Sequence, residues 1–119
     1  GKNLLAGYKR ATNILHAEEK KASKLFDGKV SQPDLSVDEE IELYKALQGV
    51  DVRVAAAIKA ENFAEAMKEL SSLRSPIDEF LNKVTVNSDV GRERENRLKL
   101  LSHIRSTMNV VAQFSKIEG

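Results

Sequence analysis

Five polar residues near the start of the chain are spaced to grip a nucleic acid: Lys2, Lys9, Asn13, His16 and Lys20. At about 100° per residue they fall within a band of roughly 60° on one helix, with Arg10 at its edge. Ammonium groups neutralise phosphates, and an amide among them offers both a donor and an acceptor to a base edge. The competing reading is a solvated helix face, the usual fate of lysine rows. A second basic stretch, with Arg92, Arg94, Arg97, Lys99 and Arg105, lies near the other end. There Arg94, Arg97 and Arg105 fall close to the apolar side of their helix. Ion pairs with carboxylates such as Asp78 or Asp89 therefore compete with phosphate contact. Among the few aromatics, Tyr8 and Phe26 are the stacking candidates, so base stacking is not the expected main mode of binding.

Catalytic groups do not converge in this sequence. His16 and His103 lack metal-ligand spacing, and there is no cysteine to complete such a set. Ser71, Ser72 and Ser75 fit helix ends better than a nucleophile turn. Gly28, Gly49 and Gly91 stand alone and form no phosphate loop. The carboxylates of the 34–42 stretch sit at a helix start, where they complement the helix dipole. No catalytic residue and no metal site is expected within this chain.

The elements that must carry the basic residues are helices. The chain is 119 residues long, one ordinary domain, and its 41% hydrophobic and 31% charged content is that of a globular protein. Few glycines and prolines leave too few turns for an all-β fold. The absence of cysteine excludes a disulfide framework and weakly suits a reducing compartment. No apolar run approaches a membrane span and no signal peptide is visible, so the expected location is cytoplasmic. Net charge is only +1, but both ends are basic and the 34–42 stretch is acidic. With no initiator Met, Gly1 as an appended residue and a helical pattern starting at Leu4, the chain reads as one domain, 1–119, taken from a longer protein.

Periodicity predicts a first helix over about Asn3–Lys24, with Leu4, Tyr8, Ala11 and Leu15 inward. A loop follows from Asp27-Gly28 to Pro33-Asp34. Ser36 and Glu39 are spaced as a capping box for a second helix carrying Leu43, Leu47, Val50, Val54 and Ile58. Gly49 allows a kink or break near 49–51. Asn62 caps a third helix, with Glu65 at the capping-box position. Ser75-Pro76 starts a fourth, and Asp89 caps a long fifth, from about Val90 to Ile117. The expected fold is all-α, a five-helix, mostly antiparallel bundle.

The order of these pieces resembles a known family. Lys9-Arg10-x-x-Asn13-Ile14-Leu15, Leu43-Tyr44-Lys45-Ala46-Leu47, Ser75-Pro76-Ile77-Asp78-Glu79-Phe80-Leu81, Val84-Thr85-Val86-Asn87 and Arg94-Glu95-Asn96-Arg97-Leu98-Lys99-Leu100-Leu101 are similar to the C-terminal region of bacterial glycyl-tRNA synthetase β subunits. The likeness covers the chain except the loop at 25–35. Leu81, Thr85 and Glu93 depart from the family pattern. The resemblance implies a helical anticodon-binding domain related to that of arginyl-tRNA synthetase. It implies tRNA(Gly) as ligand and an α subunit as partner in an α/β hetero-oligomer. ATP and Mg²⁺ would belong to the α subunit, with no cofactor in this domain. Glycine anticodons end in two cytosines, whose exocyclic amines suit amide oxygens. On that basis Asn13, Asn87 and Asn96 are the base-edge candidates, and Lys9, Arg10, Arg94 and Arg97 the phosphate holders. A helical protein–protein docking module for subunit assembly is the alternative, with the lysine rows as solvated surface.

Overall fold

The computed structural model describes the backbone of residues 2–84, 86 and 90–118, and the side chains of residues 6–84, 86 and 90–114. Five α-helices account for most of it: α1 (Lys2–Ala22), α2 (Asp38–Lys59), α3 (Phe63–Ser71), α4 (Arg74–Lys83) and α5 (Gly91–Glu118). Among the described residues no strand forms. The expected fold class holds. No described helix is long and apolar enough to cross a membrane.

The helix ends show where local chemistry ruled and where packing did. Helix α1 stops two residues short of Lys24. Ser23 adopts a left-handed φ of 55°, and Lys24 N donates back to Glu19 O at 3.2 Å. Helix α2 ends the same way, with Glu61 at φ 57° and Asn62 N donating to Ala57 O at 2.8 Å. Both are positions that ordinarily favour glycine. At the start of α2 it is Glu40, not Glu39, that turns back. Its Oε1 accepts from Ser36 N at 2.8 Å, Ser36 Oγ at 3.2 Å and Val37 N at 3.0 Å. The break that Gly49 would allow does not occur, and α2 runs on from Asp38 to Lys59. Leu47 and Val50 are fully buried on either side, and packing outweighs a propensity cost of about 1 kcal/mol. Asn62 caps α3 as expected, its Oδ1 accepting from Glu65 N at 3.1 Å. Helix α4 begins at Arg74 rather than Pro76, and Pro76 is tolerated because it lies in the first turn. Asp89, the expected cap of α5, lies outside the described residues.

Helix α2 is central, packing on α3, α4 and α5, while α1 lies on α4 and α5. The pairs Lys24–Glu95 and Glu19–Arg105 run α1 antiparallel to α5. Arg53 and Glu69 tie α2 to α3 as an antiparallel hairpin. By contrast α2 and α5 run the same way, since Glu40 meets Arg97 and Asp51 meets Thr107. Leu15, Leu43, Leu47, Leu70, Leu73, Ile77, Phe80, Leu98, Leu101 and Ile104 fill the space between them. The edge-on contact of Phe63 with Phe114, centroids 6.0 Å apart, closes the α3 end.

The connection between α1 and α2 is long and contains one 3-10 turn, Gln32–Asp34. It is held across its length. Phe26 N donates to Glu19 Oε2 at 3.1 Å, Phe26 is buried, and the Asn96 amide grips Ser31. A long loop pinned in this way acts as a wall rather than a tether.

Candidate nucleic-acid interface

Helix α1 divides cleanly. Ala11 and Leu15 are fully buried, and Lys9, Asn13, His16 and Lys20 are exposed on the opposite side. The side chains of Lys9, Asn13 and Lys20 make no hydrogen bond or ion pair among the described residues, so their polar groups are free for a partner. Arg10 is exposed but already engaged. Its guanidinium donates to Asn82 Oδ1 at 3.0 Å and to Leu81 O at 3.3 Å, fastening α1 to the end of α4. Lys2 belongs to the row by spacing, but its side chain lies outside the described set.

The α5 candidates fare differently. Arg94 is exposed and lines a shallow recess with Glu18, Lys21, Ala22, Phe26 and Leu98. Glu18 and Ala22 lie roughly 140–180° around α1 from Lys9. Arg94 therefore does not join the outward row. It faces the flank that carries Lys21. Asn96 is buried, its Oδ1 accepting from Ser31 N at 2.7 Å and its Nδ2 donating to Ser31 O at 3.0 Å. Both ends of the amide are taken, as in a strand ladder, so no edge is left for a base. Arg97 is buried too, and its Nε donates to Glu40 Oε2 at 2.7 Å. These two residues, expected to read a base and hold a phosphate, are instead internal fasteners, and the interface is drawn without them. Asn87 lies outside the described residues.

Two further expectations are corrected by packing. Phe26 is buried with Lys24 Nζ 4.9 Å from its ring centroid, and Tyr8 is half-buried against the core, so the Phe26 ring is not open to a base. Asp78, the arginine partner expected on α4, is not the partner found for Arg105 or Arg97, and Asp89 lies outside the described residues. Arg105 pairs with Glu19 through two bonds of 2.9 and 3.0 Å, and Arg97 with Glu40.

The carboxylates of Glu19, Glu40 and the half-buried Asp51 titrate low for reasons visible in these contacts. The Arg105 guanidinium holds Glu19 below the usual carboxylate range, against burial and with help from Phe26 N–H. Burial pushes Glu40 upward, but Arg97 and the backbone N–H groups of Ser36 and Val37 together outweigh it. Asp51 follows the same pattern, with burial opposed by His103 and by Thr107, whose Oγ1 donates at 2.6 Å.

Sequence reasoning missed a polar cleft of about 400 Å³ between the α1–α2 loop, α2 and α5. Asp27, Gly28, Lys29, Val30, Tyr44, Gln48, Ser102, His103 and Ser106 line it. The pairs Tyr44/Gln48 and Ser102/Ser106 are each one turn apart, a legible signal, but nothing local says that they face each other. Among the described residues no group of three or more His, Asp or Glu is placed to hold a metal ion.

The family model described as the DALR anticodon binding domain matches residues 4–117. The chain is 51% identical over 119 residues to the glycine–tRNA ligase beta subunit of Phenylobacterium zucineum (strain HLK1), covering all of this chain and 18% of that protein. It is 47% identical over 120 residues to the glycine–tRNA ligase beta subunit of Rhodospirillum centenum (strain ATCC 51521 / SW), covering all of this chain and 17% of that protein. The chain thus spans less than a fifth of the length of these curated relatives. No solved structure matches it.

Proposed function

The chain belongs to the DALR anticodon binding domain family, and on that premise we propose that it holds the anticodon loop of tRNA(Gly) for a glycine–tRNA ligase. In this reading it is the part of the β subunit that recognises tRNA. ATP-dependent aminoacylation, with Mg²⁺, takes place on an α subunit in an α/β hetero-oligomer in the cytoplasm, where tRNA is charged.

One observation carries the reading: the outward face of α1 presents Lys9, Asn13, His16 and Lys20 to solvent, and the side chains of Lys9, Asn13 and Lys20 make no bond among the described residues. Long cationic side chains with no folding role, set one helical turn apart, match a phosphate backbone. An amide between them can reach a base edge. Arg10 stands at the edge of that row, whereas Arg94 faces a flank of α1 well away from it and is not counted in the grip.

The test is a titration of tRNA(Gly) against the whole ligase at several salt concentrations. Lys9→Ala is expected to weaken binding and to reduce the slope of log K against log salt by about 0.7, the value for one phosphate contact to a single strand. An unchanged slope and affinity for Lys9→Ala and Lys20→Ala together overturns the reading. Loss of subunit association with intact tRNA affinity would instead favour a protein-docking module.

A further inference from the structure

The cleft between the α1–α2 loop, α2 and α5 has features that the outward lysine row does not explain. Ser102 is only 3% exposed, it lines the cleft, and no described residue bonds its hydroxyl. Because among the described residues no buried polar side-chain atom is left both sealed and unpaired, that hydroxyl opens into the cleft. Gln48 Nε2 donates to the Tyr44 hydroxyl at 2.8 Å, which leaves the Gln48 amide oxygen as a free acceptor at the rim. The His103 ring is held by Asp51 through Nε2, and Thr107 Oγ1 holds the other carboxylate oxygen, so the imidazole wall is fixed. The loop wall is fixed as well, since Asn96 clamps Ser31, the residue after Val30. At about 400 Å³ the space falls within the range of small-molecule sites.

The loop that walls the cleft follows directly on the helix that carries the lysine row, since α1 ends at Ala22 and residues 27–30 line the cleft. Arg105, whose bonds to Glu19 mark the seam where α1 meets α5, lies one residue from Ser106 and three from Ser102. Around the end of α1, His16, Lys20, Ser23, Lys24 and Leu25 line a shallow recess that leads into the loop. The loop itself supplies a cation at the cleft, Lys29.

We infer that this cleft receives one unstacked base of the bound RNA loop, a base with an exocyclic amine, read by the Gln48 amide oxygen and the Ser102 hydroxyl. An exocyclic amine needs an acceptor, and the rim provides the free oxygen of Gln48 and the carboxylate of Asp27. The rings of Tyr44 and His103 line the space a flat base would fill. The inference rests on the RNA-binding reading above, but it concerns different residues and a different measurable quantity.

A double-mutant cycle on the whole ligase tests it. tRNA(Gly) carrying an abasic nucleotide at each anticodon-loop position in turn is titrated against wild type, Gln48→Leu and Ser102→Ala at fixed salt. Gln48 is exposed, so its variant keeps the fold even if the buried Ser102→Ala does not. At one loop position the abasic change is expected to weaken wild type about five- to tenfold, the worth of a lost hydrogen bond, and Gln48→Leu far less. Losses that simply add at every position overturn the cleft assignment. If Lys9→Ala still lowers the salt slope in that case, RNA binding stands and only the cleft falls. If neither Lys9→Ala nor Gln48→Leu alters tRNA affinity, both readings fail.

Discussion

Two asparagine-and-cation groups in this protein share a composition and have opposite fates. On α5, Asn96 and Arg97 are buried: both ends of the Asn96 amide bond Ser31, and Arg97 Nε bonds Glu40. On α1, Lys9 and Asn13 are exposed and make no bond among the described residues. What separates them is what the fold sets opposite. A loop backbone and a helix-capping carboxylate lie over the first, and solvent lies over the second. A polar residue type is therefore a licence for recognition only where the protein has not already used it.

The largest effect that could break this contrast is at Arg97. Removing the guanidinium leaves Glu40 charged and buried, and Arg97→Ala is expected to cost about 3–5 kcal/mol of stability in a denaturant melt. A loss under about 1 kcal/mol would mean the pair is not structural, and Arg97 would return to the list of RNA contacts. Next is Asn96→Leu, expected to cost about 1–3 kcal/mol because Ser31 N–H and C=O lose their partners. It should also speed amide exchange across residues 27–31, and unchanged exchange there would break the claim that Asn96 holds the loop.

Acid gives a smaller and more gradual effect. Glu19 and Glu40 titrate lower folded than their ordinary value of 4.5, so the unfolded chain takes up their protons first. Their contribution is present above that ordinary value and is lost as pH falls through the lower folded values. The melting temperature should drop over this acidic window, and the drop should be shallower in Glu40→Gln. An equally steep drop would place the acid sensitivity elsewhere. Smallest of all, Lys9→Ala should change stability by no more than about 0.5 kcal/mol, as expected for a solvated side chain, while altering the salt response of tRNA binding.

Much of the fold was legible because its causes are local. The 3.6-residue recurrence of Leu43, Leu47, Val50 and Val54 places a helix and its inner face without any knowledge of neighbours. The Asn62–Glu65 cap is equally local, and it appears as read. The error at the start of α2 is of another kind. Glu39 and Glu40 both stand near Ser36, and the choice between them was made by Arg97, 57 residues away. The same holds for Gly49, whose local cost was overruled by the buried residues beside it. In the candidate interface, the α1 row was visible as spacing, whereas the cleft draws Gln48, Ser102 and the loop from three distant segments.

By itself the sequence determined that the chain forms amphipathic helices, that α1 turns a cationic row away from its apolar stripe, and that the pieces follow the order of a known family. These follow from a backbone period that repeats within a single turn. Only the tertiary structure decided that Asn96 belongs to a loop 65 residues distant and that a polar cleft opens beside Ser102. Hydrogen bonds between remote segments depend on where helices pack, and no local pattern of residue types specifies that placement.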